Sequence, residues 1–389
     1  MGEKLPGVGQ RQASASRIAN ATTGGFSHKG NCMIRFNRRR LLAWSAGAAL
    51  LAAGSQRTAQ AQEREKSTGE LMTAGVHKAI ERGLAFLARR QIQSGRDKGA
   101  FGTSGYSGGV AVCGLGGLSF MCSGSPPGQG PYGKHVDRCA DFIIANQDKN
   151  GFLSVNSGGG SRDNMYGHGF ATLFLAEAYG MSSRPDADAT IGEALRKSVK
   201  LIVECQNDAG GWRYEPRKSD ADLSITICQI MALRAARDAG INVPDETRNK
   251  CIKYVKDSQN ADGGFRYTIG QGGGSTFPLT AAGICSLYSA GIYDGEPIDK
   301  GLKYLLTYTP GKGNEPGYYF YGHYYAVQAM WHAGGKYWTN WYTAIRDTLL
   351  SRQAGDGSWN DDQAGTEFGT AMACIILQMP NNYLPVFSP

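Results

Sequence analysis

Long apolar runs are scarce in this 389-residue sequence, and the most prominent one covers only residues 41–53. In a helix this run would span about 20 Å, less than the roughly 30 Å hydrocarbon core of a membrane. We therefore expect no stable membrane span. Charged residues are also few, at 19%, while hydrophobic residues reach 41%. That balance indicates a globular protein rather than a disordered one.

Net charge is absent from most of the chain, although the formal total is +8. Residues 1–61 hold nine Lys or Arg and one acid, which leaves 32 basic and 32 acidic side chains in residues 62–389. A neutral body provides no electrostatic reason to expect a nucleic-acid partner.

The basic N-terminal segment has the order of an export leader. Three arginines at 38–40 precede the apolar run, and Ala-Gln-Ala at 59–61 follows it. This order resembles a twin-arginine signal with a signal-peptidase site, with an ordinary secretory leader as the alternative. We predict a cleaved leader over residues 1–61 with Met33 as the true start, a linker over 62–75, and a periplasmic or extracellular mature protein.

Paired cysteines are missing as well. No CxxC occurs, which excludes a zinc ribbon or a thiol-redox motif of that type. Cys113 and Cys122 would lie about 13 Å apart on one helix, too far for a disulfide. We expect the cysteines beyond the leader to be small core residues: Cys113, Cys122, Cys139, Cys205, Cys228, Cys251, Cys285 and Cys374.

The strongest feature present is an internal repeat of a glutamine, one or two glycines and an aromatic residue. Two degenerate copies extend from Gln93 to Phe101 and around 310–318. The six units fit residues 76–380 and leave 381–389 as a C-terminal tail. The four clear copies begin at Gln147, Gln206, Gln259 and Gln353 and end at Phe152, Trp212, Phe265 and Trp359.

Each unit contains two different helical patterns. An amphipathic segment such as 191–205 precedes the glutamine, and a segment that is apolar nearly all round, such as 221–239, follows the aromatic residue. The first kind faces solvent on one side, whereas the second must be buried on every side. Six such hairpins predict an all-α fold, an (α/α)6 toroid with inner and outer rings of helices.

The glutamine-to-tryptophan turns resemble the QW motifs of squalene and triterpene cyclases, and the repeat region resembles the prenyltransferase and squalene oxidase repeat family. The resemblance implies a toroid whose site lies in the central cavity where the inner helices begin. It also implies an apolar isoprenoid as the ligand. The same toroid serves terpene cyclases, protein prenyltransferases and thioester-containing complement proteins, so the resemblance leaves the activity open.

The motifs that distinguish these classes are incomplete or missing. Asp220-Ala221-Asp222-Leu223 keeps two of the three acids of the cyclase Asp-x-Asp-Asp motif. Asp222 matches the protonating acid and is our first catalytic candidate; the alternative is a helix cap. The matching helix starts have no Cys or His for the prenyltransferase zinc, and Gly-Cys-Gly-Glu-Gln does not occur. We expect no metal and no cofactor.

A duplicated tripeptide takes the place of those motifs. Tyr166-Gly167-His168 and Tyr321-Gly322-His323 are 155 residues apart, which is three repeats and therefore opposite sides of a six-unit ring. We predict that His168 and His323 are catalytic and flank a ligand across a gap too wide for one shared metal, with Tyr166 and Tyr321 binding substrate. The alternative is a structural role as caps and packing residues.

Other polar residues fall at the same predicted rim and are candidate substrate-binding residues: Asp163, Asp220, Arg213, Tyr318 and Glu367. Three functions remain open from the residues alone. The protein is a cyclase-like or prenyltransferase-like enzyme acting on an apolar isoprenoid, a non-catalytic binding or scaffold toroid, or an exported polysaccharide lyase or hydrolase. An aromatic cavity would favour the first function, a filled centre the second, and a polar groove with paired acids the third.

Overall fold

The computed structural model describes residues 70–103, 105–157, 160–161, 163–270, 272–313 and 316–388. The predicted leader and residues 62–69 of the predicted linker lie outside the described residues. Twelve α-helices occur in the described part: α1 Ala74–Arg90, α2 Val110–Met121, α3 Gly133–Ala145, α4 Met165–Ala178, α5 Pro185–Cys205, α6 Leu223–Asp238, α7 Asp245–Asp257, α8 Phe277–Ser289, α9 Glu296–Leu305, α10 Tyr319–Ala333, α11 Gly335–Arg352 and α12 Thr366–Gln378.

The helices form two concentric rings. The even-numbered helices pack in sequence order, and α12 packs against α2, so the inner ring closes. The odd-numbered helices lie outside them. In α4 every residue from Gly167 to Ala178 is buried, whereas α7 buries only four residues. This arrangement is the predicted all-α (α/α)6 toroid. The described part adds only a two-residue hairpin, β1 Asn156–Ser157 with β2 Gly160–Ser161.

The repeated glutamine connects five of the six turns to the outer helix of the next repeat. Gln206 Nε2 donates to Gly210 O within its own turn and to Thr247 O on α7, both at 2.9 Å. Gln353 Nε2 makes the same two bonds, to Gly357 O and to Ala79 O on α1. Because α1 belongs to the first repeat, the bond from Gln353 closes the ring.

The turn glycine permits this close approach. Gly210 has φ +101°, and a Cβ there would lie 2.2 Å from Lys250 O on α7. A side chain would therefore force the turn away from the outer helix and break the glutamine bond. In the first repeat the linking glutamine is Gln91 rather than the predicted Gln93, since Gln91 Nε2 donates to Gly99 O and His135 O.

The eight cysteines in the described part are free and buried, as predicted. The predicted C-terminal tail, however, packs into the toroid. Leu384, Val386 and Phe387 are buried, and the 3-10 turn Pro385–Phe387 packs on α6. The Phe387 ring lies 6.2 Å from the Tyr324 ring inside the ring of helices. This segment fills the end of the toroid at which the inner helices finish.

The turn tryptophans should contribute strongly to stability. Trp212 and Trp359 are each 1% exposed, and their Nε1 atoms donate to Ile202 O and Leu349 O at 2.7 and 2.8 Å. We expect Trp212→Ala or Trp359→Ala to lower the free energy of unfolding by about 3–5 kcal/mol, measured by urea denaturation. A loss below about 1 kcal/mol in both variants would contradict this packing role.

Candidate functional site

The centre of the inner ring is filled by tyrosines. Tyr166 of α4 and Tyr321 of α10 reach the axis from opposite sides, and their rings meet edge to face with centroids 6.4 Å apart. Below them, the rings of Phe170 and Tyr324 meet at 6.1 Å, and the Tyr325 hydroxyl contacts Cys228 Sγ at 3.3 Å. These side chains occupy the place where the cyclase interpretation expects a ligand cavity.

A hydrogen-bonded network connects the two central tyrosines to the rim. Tyr166 donates its hydroxyl hydrogen to Ser224 Oγ, and the Tyr321 hydroxyl donates to Ser224 O at 3.2 Å. Ser224 Oγ in turn donates to Asp222 Oδ1 at 2.7 Å. Burial raises the pKa of both tyrosine hydroxyls well above the ordinary value, so both remain protonated donors at neutral pH.

Asp222 caps α6. Its Oδ1 accepts a hydrogen bond from Ile225 N at 2.8 Å, and the side chain is fully buried. Its Oδ2 forms an ion pair with Arg213, at 3.6 Å from Nε. Burial raises the pKa of Asp222, whereas the hydrogen bonds from Ser224, Ile225 N and Tyr267 and the Arg213 charge favour the carboxylate and lower it. The cap interpretation is confirmed by this geometry, which also leaves one oxygen directed at Arg213.

A group of polar and aromatic residues, which we call the rim cluster, surrounds the outer end of this network. It consists of Arg213, Tyr214, Asp220 and Tyr267. The guanidinium lies 5.3 and 5.6 Å from the two ring centroids and bonds Asp220 Oδ2 at 3.1 Å. The two tyrosine hydroxyls are 2.6 Å apart. The cluster therefore joins the third and fourth repeats at the end where the inner helices begin.

The comparisons with known proteins agree with this geometry. Residues 186–318 match the model of the prenyltransferase alpha-alpha toroid domain family. The matched segment covers the third and fourth repeats and the first half of the fifth, and the match agrees with the toroid fold described above. No curated protein sequence matches the chain.

Solved structures of several activities share the toroid. The type II terpene cyclase MstE from Scytonema is 14% identical, with a TM-score of 0.53 over 80% of this chain and 100% of that chain. The GH76 α-mannanase of Bacteroides thetaiotaomicron is 11% identical, with a TM-score of 0.56 over 81% and 98%. The cellobiose 2-epimerase of Bacillus thermoamylovorans is 10% identical, with a TM-score of 0.56 over 78% and 98%. At these identities the likeness shows the fold alone.

The prediction that the two histidines face each other across the toroid is wrong. His168 Nδ1 accepts a hydrogen bond from Leu153 N at 3.2 Å, and Nε2 donates to Ser198 O on the outer helix α5 at 3.3 Å. His323 contacts Trp341 of the outer helix α11. Residues two apart on a helix differ by about 200° in direction. Because the tyrosine of each tripeptide faces the axis, the histidine faces the outer ring.

The remaining predicted residues fall into two sets. Tyr166, Tyr321, Asp222, Arg213 and Asp220 come together in the network and rim cluster. The others make contacts elsewhere: Asp163 Oδ2 accepts from Val155 N at 3.0 Å, Glu367 pairs with Arg90 of α1 at 2.7 Å, and Tyr318 lies beside the loop at 359–363.

Three residues of the site were not among the predicted ones. Tyr214 and Tyr267 are the last residues of the two Gly-Gly-aromatic-Arg-Tyr turns, so the repeat itself marked them. Ser224 carried no signal, because a serine near a helix start is common. In the described part of the toroid, no group of three His, Cys, Asp or Glu side chains could hold a metal ion, and none of the helices there is long and apolar enough to cross a membrane.

The buried histidines should make the toroid sensitive to acid. Burial lowers the pKa of His168 to about 4 and that of His323 to about 3, against about 6.5 in an unfolded chain. Between these values the unfolded chain binds more protons than the folded one, so stability falls as pH drops from 6.5 towards 4.

We expect the Tm of the wild type to fall over that pH range by more than the Tm of a His168→Thr/His323→Thr variant. The expected difference corresponds to a few kcal/mol in total, on the order of 2 kcal/mol for each histidine. Calorimetry at matched ionic strength measures it, with the exposed His77→Thr as a control that keeps the wild-type slope. Identical slopes for wild type and double variant would contradict the assignment.

Proposed function

We propose that the protein is an exported, non-catalytic toroid that binds a ligand or partner at the rim where its inner helices begin. The observation that carries this proposal is the contact of Tyr166 with Tyr321 at the axis. A site that encloses a small molecule usually needs a cavity of about 300 Å³ or more. The neighbouring cyclase MstE has been solved with its substrate geranylgeranyl dihydroxybenzoate, whereas tyrosines occupy the axis here.

The rim cluster provides the binding surface in this proposal. Tyr214 is 38% exposed, and tyrosine and arginine are the side chains enriched where binding energy concentrates. Arg213 is held between two tyrosine rings and two acids, so little side-chain entropy is lost when a ligand binds. The buried Asp222 and Ser224 below it fix this arrangement.

A terpene cyclase is the second candidate, because Asp222 is a buried acid at the position of the cyclase proton donor and burial raises its pKa. Two observations oppose a cyclase: one oxygen of Asp222 caps α6, and Leu223 stands where the motif has its last acid. The lyase or hydrolase alternative has less support, since Asp163 and Glu367 are engaged in loop and interhelix contacts.

We expect native mass spectrometry of the exported protein to show a bound molecule that a Tyr214→Ala/Tyr267→Ala variant loses. Tyr293→Ala is the matched control, because Tyr293 is also exposed but lies just beyond the C-terminal end of α8. Binding that survives the double variant, or wild-type protein with nothing bound, would count against a rim site.

The same preparation, incubated with squalene or geranylgeranyl diphosphate, should give no cyclised product by gas chromatography and mass spectrometry. A product formed by the wild type and lost in Asp222→Asn would overturn the non-catalytic proposal in favour of the cyclase.

Export is a separate part of the proposal and rests on the arginines at 38–40, the short apolar run and the small residues at 59–61. N-terminal sequencing of exported protein should start at or near Gln62. Replacing Arg38 and Arg39 by Lys should retain the protein in the cytoplasm if the leader is of the twin-arginine type. An intact apolar segment in the membrane fraction would refute cleavage.

A further inference from the structure

One position on the inner helices binds the backbone of the preceding turn in four of the six repeats. Leu153 N donates to His168 Nδ1, and the turn aromatics Trp212, Phe265 and Trp359 donate their backbone N–H to threonine hydroxyls at 3.0 to 3.2 Å. The threonines are Thr226, Thr280 and Thr370. His323 occupies the same position in the fifth repeat.

His323 lacks that bond. It is 1% exposed, and neither Nδ1 nor Nε2 has a hydrogen-bond partner. Trp341, whose ring lies 5.8 Å from it, has an unpartnered Nε1 as well. Buried polar atoms without partners are rare because desolvation is costly, so this pair marks the fifth repeat as the place where the internal bonding of the other repeats is broken.

The fifth turn has lost the glutamine of the other repeats, and no backbone N–H of the described part bonds to His323. The chain at 316–317 instead separates two clefts of about 340 and 250 Å³. Phe277 lines the larger and lies 5.1 Å from the His323 ring; Tyr319 lines the smaller and lies 4.4 Å from it. His323 is therefore packed directly behind the walls of both.

The smaller cleft, which we call the fifth-repeat cleft, has the lining of a binding site. Arg352 covers the Tyr319 ring at 4.5 Å. Opposite it lies a loop whose polar side chains line the cleft: Asn360, Asp361, Asp362 and Gln363. Hydrogen bonds within the loop hold Asp361 Oδ1 and Asp362 Oδ1 in place, and the second oxygen of each carboxylate, the Gln363 amide and the guanidinium give the cleft donors and acceptors with both signs of charge.

Tyr318 lines the fifth-repeat cleft at its mouth and has a strained backbone conformation. Its φ is +56° and its side chain is 64% exposed. A left-handed conformation is unfavourable for a tyrosine, and residues strained in this way cluster at functional sites. Here it holds an aromatic face in water beside the polar loop.

We propose that the fifth-repeat cleft binds a short neutral saccharide. Aromatic faces accommodate the apolar side of a sugar ring, and closely spaced carboxylates, amides and a guanidinium match vicinal hydroxyls that donate and accept together. The mixed charges oppose a ligand with a strong charge of one sign. The site is distinct from the rim cluster and does not depend on the function proposed for it.

The test is titration calorimetry with maltotriose, cellotriose and mannotriose, and with trigalacturonic acid as the charged counterpart. We expect at least one neutral trisaccharide to bind the wild type. Tyr318→Gly should weaken that binding tenfold or more while the Tm stays equal or rises, because glycine adopts φ +56° without strain. Tyr106→Ala, another exposed tyrosine, should bind as the wild type does.

A second pair of variants tests the contribution of the buried imidazole. His323→Thr introduces the threonine of the third, fourth and sixth repeats and removes the ring that packs behind Tyr319. It should therefore weaken saccharide binding threefold or more, whereas His168→Thr should not. The proposal is overturned if no neutral trisaccharide binds, if trigalacturonic acid is preferred, or if Tyr318→Gly binds as tightly as the wild type. If a bound molecule is lost in the Tyr214→Ala/Tyr267→Ala variant but is kept in Tyr318→Gly and His323→Thr, the rim proposal is supported and the saccharide proposal is overturned.

Discussion

The bond from a turn glutamine to the outer helix of the following repeat holds this toroid together. Each hairpin alone exposes the apolar side of its inner helix, so it gains stability only when the next hairpin covers it. The glutamine fixes the distance and rotation of that next hairpin, because one amide satisfies a carbonyl in the turn and another on the neighbour. Five of the six turns make this bond, and the one from Gln353 to Ala79 O completes the circle.

The side chains inside the closed ring determine where a ligand can bind. Tyrosines from α4 and α10 are long enough to meet at the axis, and Ser224 ties both to the cap of α6. Among the groups that face the axis, the polar ones that remain accessible are consequently those around the rim and in the turns. A toroid fold is thus combined with a filled axis.

The sequence predicted the fold well because the repeat and the two helical patterns are local features that recur six times. It predicted the site less well because the direction of a side chain depends on the rotation of its helix. In Tyr-Gly-His either ring could have faced the axis. Tyr166 does so, and His168 instead reaches the carbonyl of Ser198 on the outer ring. The duplicated tripeptide identified the two helices that meet at the axis, but the histidines chosen from it face the outer ring.

Asp222 shows a second limit of predicting a site from the sequence. The motif located it, and its capping bond followed from its place before α6, but its link to the axis runs through Ser224 and Tyr166, which are joined only by the fold. Arg213 and Tyr267 come from different repeats, and their contact depends on the angle between hairpins.

The packed C-terminal segment has a consequence for how the chain is assembled. Phe387 reaches the interior beside Tyr324, and Arg234 Nη2 donates to Ser388 O. The interior is therefore incomplete until residues 384–388 have been synthesised and packed. Contacts between residues far apart in sequence form late and slow folding. A chain truncated before residue 384 would leave an apolar opening at one end of the toroid, a state that is prone to aggregation.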